Sequence, residues 1–389
     1  MMVGTLILLT GIIGAAGNAS TVPAEDLPIC KELPDPFRMN DGSYVKTPED
    51  WRKRREEIIA LLQDYEYGHL PPPAPASVVK SRSKRVFDGE AECRSAVLGF
   101  GPKQQVKVEV GVFVPKGDGP FPAVLAIDPV FEHKGEAAAR LCTERGYILA
   151  GFKYHDFDQD NKDRSDGMHP LYPEYDWGTL GVWAWGAMRV LDYLLTLPEV
   201  DAKHVAITGH SRCGKTALLA AALDERFALA VPHASGCGGS GCFRLENKGC
   251  ETLQAITLKT RFHYWFHPDF DRFAKKEERL PFDQHFLKAL IAPRGLFSQE
   301  AIDDLWANPF GTQMTTQAVQ PVFDFLKASD RNAILFRYGG HSMTPGDWEA
   351  LIEFADYVFF GKQRVRDFMF RPFPDLTIPE GWKIPPAAP

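Results

Sequence analysis

The sequence predicts an α/β fold in which a mostly parallel sheet lies between two layers of helices. After an antiparallel start, strand and helix patterns alternate along the chain, and this order places helices on both faces of a parallel sheet. Residues 123–128 are continuously apolar, as in a strand buried on both faces. Residues 205–223 combine a short strand, a glycine-bounded turn and an alanine- and leucine-rich helix.

The composition is that of a globular protein with a large core. Of the 389 residues, 44% are apolar and 24% are charged, and folds built on a large sheet reach this length as one domain. The net charge of −7 gives no reason to expect nucleic acid or an anionic membrane as a partner. The basic runs at 52–55 and 80–85 are next to acidic residues or on a solvated face. We expect a monomer.

The first half of the chain predicts one helix and an antiparallel start to the sheet. Thr47 is an N-cap hydroxyl, Pro48 occupies the first helical position and acidic residues follow, so a helix is expected to about residue 65. The prolines at 71–73 end it. Alternating side chains and β-branched residues then predict strands at 78–86, 92–99 and 105–114.

The second half predicts the parallel part of the sheet. Strands are expected at 123–128, 147–152, 205–208, 227–232, 295–298 and 333–337, and helices at 136–144, 180–197, 312–328 and 347–360. A long polar and aromatic loop at 154–177 is expected to be functional or mobile. Its acids Asp156, Asp158 and Asp160 have a calcium-like spacing, but the loop lacks the glycine and terminal glutamate of an EF-hand, which disfavours calcium.

Residues 1–17 form an apolar run followed by small residues, the texture of a secretory signal peptide, although no Lys or Arg precedes it. We therefore predict a signal peptide at 1–19, a single domain at 20–389, and a secreted or periplasmic protein without stable membrane association. An uncleaved anchor is the alternative, but the run is short for a membrane span.

Seven cysteines, at positions 30, 93, 142, 213, 237, 242 and 250, fit an oxidising compartment, and the odd count leaves at least one unpaired. We expect one disulfide among Cys213, Cys237, Cys242 and Cys250, and their spacing leaves the pairing open. No CxxC pair or His/Cys cluster has zinc spacing, so no metal is expected.

Residues 209–216 fit two incompatible functions. They match the phosphate-binding pattern GxxxxGK[ST], in which backbone N–H groups, a lysine and a hydroxyl hold a nucleotide. They also fit a nucleophile elbow, GxSxxG here, in which a strained turn raises Ser211 above the end of a sheet. Several strands precede this segment, whereas a phosphate loop usually follows the first strand, so the elbow is favoured. A third interpretation makes Ser211 only a helix N-cap.

The order of residues after Ser211 supports catalysis. A serine nucleophile requires a neutral imidazole to take its proton and a carboxylate to fix the imidazole tautomer. His341 follows the last predicted strand in a glycine-rich loop, where this order of elements delivers a histidine. Glu300, Asp303 and Asp304 lie between them, and the residue pattern leaves open which of these acids takes part.

Five segments resemble a known family: GHSRCGK at 209–215, SGCGG at 235–239, APR at 292–294, WANP at 306–309 and GHSMT at 340–344. They look like the glucuronoyl esterases of carbohydrate esterase family 15, particularly the bacterial branch, and the likeness covers residues 51–360. The resemblance implies a three-layer α/β-hydrolase sandwich without a cofactor. It also implies hydrolysis of the ester between 4-O-methyl-D-glucuronic acid of glucuronoxylan and lignin alcohols.

The resemblance assigns roles by position. It implies that Ser211 is the nucleophile, that His341 is the base, and that Arg212 stabilises the oxyanion through its N–H and guanidinium groups. For substrate binding it implies that Lys215 contacts the uronate hydroxyls and that Trp306 borders the sugar. A looser alignment adds Gln254 as a sugar-binding residue.

Two departures from the family pattern matter. Fungal members carry the catalytic glutamate in the segment that corresponds to 233–236, where this chain has Ala234. Many bacterial members take the acid from the loop after the next strand, and we expect Asp304 rather than Asp303 or Glu300. The cysteines that fungal members bridge correspond here to His210 and Ser342, so that disulfide is absent.

Two alternative functions stay open. A serine esterase of the same fold could act on acetyl-xylan or aryl esters. Because of Ala234, the chain could also be a catalytically inactive carbohydrate-binding relative.

Overall fold

The computed structural model describes residues 22–132 and 135–387, so the predicted signal peptide at 1–19 lies outside the described residues. A nine-stranded sheet has the order β1-β2-β3-β5-β4-β6-β7-β8-β9. The strands are β1 (Ser77–Val86), β2 (Ala91–Phe100), β3 (Val106–Pro115), β4 (Phe121–Ala126), β5 (Ile148–Phe152), β6 (Val200–His210), β7 (Leu229–His233), β8 (Gly295–Ala301) and β9 (Asn332–Arg337).

The α-helices are α1 (Pro48–Leu62), α2 (Glu136–Glu144), α3 (Thr179–Leu194), α4 (Arg212–Leu223), α5 (Leu253–Thr257), α6 (Gln284–Ala289), α7 (Pro309–Phe325) and α8 (Pro345–Phe360). Strands β1, β2, β3 and β5 pair antiparallel, and β5, β4 and β6 to β9 run parallel. The predicted fold class, a mostly parallel sheet with an antiparallel start, is therefore confirmed.

Two apolar cores lie on opposite faces of the sheet. One is formed with α1, α3, α4, α6 and α7 and contains the buried tryptophans of α3. The other is formed with α2 and α8. Buried aromatic residues between 262 and 273, such as Trp265 and Phe270, belong to the first core. The sheet and the helices packed on each of its faces thus form the three layers that the alternation of elements predicts.

Local signals explain where several helices begin. Thr47 caps α1, with its hydroxyl accepting from Asp50 N and the Asp50 carboxylate accepting from Thr47 N in return. Thr344 and Asp347 form the same capping box at the start of α8. Asn308, in a left-handed conformation, caps α7 immediately before Pro309. Strand β6 begins earlier than the predicted 205–208, and the sequence pattern did not predict the short helices α5 and α6.

The cysteine prediction is wrong. All seven cysteines lie within the described residues and all seven are free. The thiols have separate environments: Cys242 Sγ is 3.5 Å from an Asp283 carboxylate oxygen, and Cys250 Sγ accepts a hydrogen bond from Asn247 N. Closeness in sequence did not bring them together in the fold.

The loops that follow β6, β7, β8 and β9 carry Ser211, Ala234, Asp304 and His341, respectively. Because the carboxyl ends of parallel strands meet at one edge of the sheet, these four residues lie along the same edge. Among the described residues, no helix is long and apolar enough to cross a bilayer.

Candidate active site

Ser211 lies in a sharp turn between β6 and α4. Its backbone angles, φ 59° and ψ −124°, fall in a region that a non-glycine residue rarely occupies. The turn leaves no room for side chains at the flanking glycines, because a Cβ on Gly209 would lie 2.3 Å from Cys213 O and one on Gly214 would lie 2.9 Å from Gly209 O. This strained strand-turn-helix geometry is that of a nucleophile elbow.

His341 lies in the loop after β9 and is bound to a buried carboxylate. Its Nδ1 is 2.5 Å from Asp304 Oδ2, and the Asp304 side chain is only 3% exposed whereas that of His341 is 37% exposed. A carboxylate at Nδ1 favours the tautomer with its proton on that nitrogen. The other nitrogen, Nε2, is then free to accept a proton.

Of the three candidate acids, only Asp304 hydrogen-bonds to His341. Asp303 accepts from Gly339 N and so holds the backbone of the same loop. Glu300 is fully buried on β8, and its burial raises its pKa to about 8. Burial therefore favours the uncharged form of Glu300, which makes it a poor anionic partner for an imidazole.

His341 also contacts the elbow itself. The ring of His210, the residue immediately before Ser211, has its centroid 4.4 Å from the centroid of the His341 ring. The serine turn and the histidine loop, which are far apart in sequence, thus lie beside each other at the same edge of the sheet.

Arg212, the first residue of α4, is held at the mouth of the site by Asp160. Its guanidinium forms an ion pair with Asp160 Oδ2 and lies 5.1 Å from the ring centroid of Trp265. The other carboxylate oxygen of Asp160 accepts from Tyr264 OH at 2.9 Å and Trp265 Nε1 at 2.7 Å. Because Arg212 begins the helix, its backbone N–H has no acceptor within α4. A donor and a cation therefore stand next to Ser211.

Lys215 lies in the floor of the site, where the fold buries it. The ammonium donates to Ser235 O at 2.7 Å, to Cys237 O at 2.5 Å and to Glu251 Oε2 at 2.6 Å. Burial raises the pKa of Glu251, and the adjacent Lys215 opposes that shift. An ammonium has three donors, and here all three are used. A direct contact with sugar hydroxyls, or with a phosphate, would require Lys215 to give up one of these bonds.

The two other predicted substrate-binding residues are placed differently. Trp306 is 37% exposed in the loop that carries Asp304, and the guanidinium of Arg261 lies 5.3 Å from its ring centroid. Gln254 is exposed on α5 and lines an open cavity of about 740 Å³ together with Lys31 and Glu277. The structure brings Trp306 to the loop of the acid, whereas the cavity that Gln254 lines contains none of Ser211, Asp304 and His341.

Sequence reasoning did not identify Asp160 and Glu251 as partners of the two cations. The long loop at 154–177 was expected to be functional or mobile, and Asp160 is the residue that ties it to Arg212. Of the acids with calcium-like spacing, Asp158 instead accepts from the Thr179 hydroxyl and Asp156 from Glu109 N. No pattern in the sequence marks Glu251.

Comparison with known proteins gives a consistent result. A family model described as "Glucuronyl esterase, fungi" matches residues 101–327. A carbohydrate esterase from an unknown prokaryotic organism is 31% identical over 85% of this chain and 90% of its own length. A 4-O-methyl-glucuronoyl methylesterase from Cerrena unicolor is also 31% identical, over 85% of this chain and 69% of its own length.

A solved structure has the same fold. The carbohydrate esterase family 15 glucuronoyl esterase from Caldicellulosiruptor kristjansonii superposes with a TM-score of 0.76 and 31% sequence identity. The superposition covers 92% of this chain and 97% of that one. It extends the likeness well beyond the motifs around Ser211 and His341.

Proposed function

This chain belongs to the glucuronoyl esterase family of carboxylic ester hydrolases, and from that membership we propose a specific substrate and mechanism. The substrate is the ester between 4-O-methyl-D-glucuronic acid of glucuronoxylan and a lignin alcohol, and hydrolysis proceeds through an acyl-enzyme on Ser211. The observation that carries the proposal is the 2.5 Å contact between His341 Nδ1 and Asp304 Oδ2 beside a strained serine elbow.

In the first step, His341 takes the proton of the Ser211 hydroxyl while the serine oxygen attacks the ester carbonyl carbon. The carbonyl π electrons move to oxygen and form a tetrahedral oxyanion. Asp304 stabilises the imidazolium that His341 becomes and keeps its tautomer fixed. The burial of Asp304 strengthens this interaction because little water screens it.

Arg212 supplies the positive potential for the oxyanion. Its backbone N–H is at the N-terminus of α4, and its guanidinium is held at the mouth by Asp160. Donors that are fixed before the reaction stabilise developing charge without reorganising, and this is usually the largest single contribution to such catalysis.

The tetrahedral intermediate collapses by breaking the bond to the alcohol oxygen, which receives the proton from His341. A water molecule then attacks the acyl-enzyme, with His341 again accepting a proton. Collapse of the second intermediate returns that proton to Ser211 and releases the free uronic acid. Atoms and charge balance over the two halves, so the chemistry requires no cofactor.

The sugar is proposed to bind between the mouth and the loops after β7 and β8. Trp306 supplies an exposed aromatic face. Lys215 supports this region through the loop carbonyls that it binds, because it spans Ser235 and Cys237. A direct role for Lys215 or Gln254 in sugar binding stays a prediction.

An inactive carbohydrate-binding relative is the less favoured alternative. That alternative was raised by Ala234, which leaves no acid at the end of β7. Asp304 at the end of β8 supplies a carboxylate to His341 by another route. This observation favours an active enzyme.

We also propose that residues 20–389 form a single catalytic domain that is exported behind a signal peptide at 1–19 and works outside the cell or in the periplasm, as a monomer, on lignocellulose. The apolar run at 1–17 supports export. The size of the proposed substrate supports it as well, since a lignin-bound xylan cannot enter a cell.

Two measurements test the substrate and the acid. The kcat/KM of the wild type should be much higher for a benzyl glucuronate ester than for aryl acetate or acetylated xylan, and the reverse order would favour a serine esterase that acts on acetyl or aryl esters. With the benzyl ester, Asp304→Asn should lower kcat by about 10³–10⁴-fold, because the imidazole loses its fixed tautomer. Asp303→Asn and Glu300→Gln are the matched controls and should lower kcat by less than about tenfold.

A further inference from the structure

A second chain of imidazole and carboxylate groups lies beside the pair of Asp304 and His341. His210 Nδ1 is 2.9 Å from His233 Nδ1, and His233 Nε2 is 3.3 Å from Asp347 Oδ2. The far end of this chain is the His210 ring, tilted by 45° against His341. The mechanism described above does not use any of these three residues, yet they end directly against its base.

Proton counting shows which ring of the second chain is uncharged. Two ring nitrogens 2.9 Å apart share one proton, and an imidazolium carries protons on both of its nitrogens. His210 and His233 therefore cannot both be imidazolium ions. The Asp347 carboxylate lies against His233, so any positive charge is stabilised on His233. His210 is then the neutral member of the pair.

The groups around His210 agree with this assignment. Burial, together with the positive charges that His233 and His341 can carry, lowers the pKa of His210 to about 3, and the negative charges of Asp304 and Asp347 oppose that shift only in part. His210 therefore stays neutral over the range in which a serine esterase works.

Asp347 is firmly held in its place. It accepts from Arg337 Nε at 3.0 Å and from Thr344 N at 2.7 Å, so the end of β9 and the N-cap of α8 fix the carboxylate. His233 Nε2 has no partner within good hydrogen-bond geometry among the described residues, and Asp347 Oδ2 lies 3.3 Å from it. The contacts of Asp347 with His233 and Thr344 outweigh its burial and hold its pKa well below the usual range.

The neutrality of His210 matters because His341 becomes positive during the reaction. A second imidazolium 4.4 Å away would repel that charge, whereas the face of a neutral aromatic ring attracts a cation. The ring of His210 also packs against the ring of His341. The packing of the His210 ring and its lack of charge therefore both stabilise His341 beside the elbow.

We propose that His210, kept uncharged by His233 and Asp347, is a positioning residue for His341 that favours its imidazolium form. This inference rests on the proposed function, because it assumes that His341 is charged in the transition state. The proposal predicts that removing the ring at position 210 and adding a positive charge there have separable effects on kcat and on the pH profile of kcat/KM.

The experiment uses the full chain and a benzyl glucuronate ester. Steady-state kcat, KM, the pH profile of kcat/KM and the thermal midpoint are measured for His210→Ala, His210→Phe and His210→Lys. His204→Phe and His204→Lys are matched controls, since His204 is on the same strand and its Nδ1 is also paired, here with the carboxylate oxygen Asp201 Oδ2 at 2.7 Å.

His210→Ala should lower kcat by at least about tenfold with little change in KM, and His210→Phe should restore most of that loss. His210→Lys should lower kcat further and move the acid limb of the kcat/KM profile by about one unit to lower pH, because a fixed cation disfavours protonation of His341. The two His204 variants should leave the limb in place.

Equal kcat for the alanine and phenylalanine variants would overturn the inference. So would a folded lysine variant with the wild-type acid limb. If the lysine variant does not fold, the alanine and phenylalanine pair still decides. If the wild type hydrolyses no glucuronate ester, the proposed function is refuted instead. The failure of this inference and the failure of the proposed function are therefore distinguishable.

Discussion

Two cations one helical turn apart on α4 have opposite surroundings. Lys215, in the floor of the site, is 2% exposed and pairs with Glu251, which is 5% exposed. Arg212, at the mouth, is 36% exposed and pairs with Asp160. The floor pair is fully bonded within the protein, whereas the mouth pair can be reached by solvent and substrate.

This difference separates support from catalysis. The floor cation binds two loop carbonyls, so it fixes the backbone after β7 on which the pocket is built. The mouth cation is adjacent to Ser211 and retains donors for a developing anion. We therefore expect floor variants to change mainly stability and mouth variants to change mainly kcat.

The largest effect is expected for Glu251→Gln. This change keeps the shape but leaves the Lys215 charge buried without a counter-charge, which should cost about 3–5 kcal/mol of the free energy of unfolding. Glu90→Gln is a matched control, because it breaks the exposed pair with Lys116 and should cost less than about 1 kcal/mol. Urea unfolding measures both, and similar losses in the two variants would refute the distinction.

A smaller effect, of about 2.7–4 kcal/mol in the activation free energy, is expected for Arg212→Met. Losing one oxyanion donor should lower kcat by about 10²–10³-fold while the free energy of unfolding changes by less than about 1 kcal/mol. Arg226→Met, which removes another partly exposed paired arginine, should leave kcat unchanged. If Arg212→Met lowers the free energy of unfolding but leaves kcat unchanged, Arg212 has the stabilising role that we assign to Lys215.

The smallest effect, when it is expressed per pH unit, concerns Glu300, which is buried on β8. The pKa of Glu300 is raised from 4.5 to about 8 in the folded chain, so between these values the folded state binds one proton more than the unfolded state. The stability that the protonated Glu300 contributes is thus present at low pH and is lost as pH rises. Between these values, the free energy of unfolding of the wild type, relative to that of Glu300→Gln, should fall by up to about 1.4 kcal/mol for each unit by which pH rises. If the free energies of unfolding of the wild type and of Glu300→Gln differ by the same amount at every pH, this prediction is contradicted.

Most of the fold was predicted from the periodicity of apolar residues and from the order of strand and helix patterns along the chain. The predicted helices at 136–144 and 347–360 lie on α2 and α8, because apolar spacing and capping residues are local properties of the sequence. The serine and the histidine were found for a similar reason, since each follows a strand in a recognisable turn.

The partners of charged side chains could not be predicted in this way. Lys215 meets an acid 36 residues later, and Arg212 meets one 52 residues earlier. Such pairs depend on how loops cross above the sheet, which no short spacing encodes. The cysteine prediction failed for the same reason, because Cys237 and Cys242 are near in sequence but do not pair.

The role of Ser211 is tested most directly by Ser211→Ala, measured with the benzyl glucuronate ester beside Ser342→Ala, an exposed serine next to His341. With both variants folded, kcat should fall by at least about 10⁴-fold for Ser211→Ala and change little for Ser342→Ala. A Ser211→Ala variant that still releases benzyl alcohol at the wild-type rate would contradict the account.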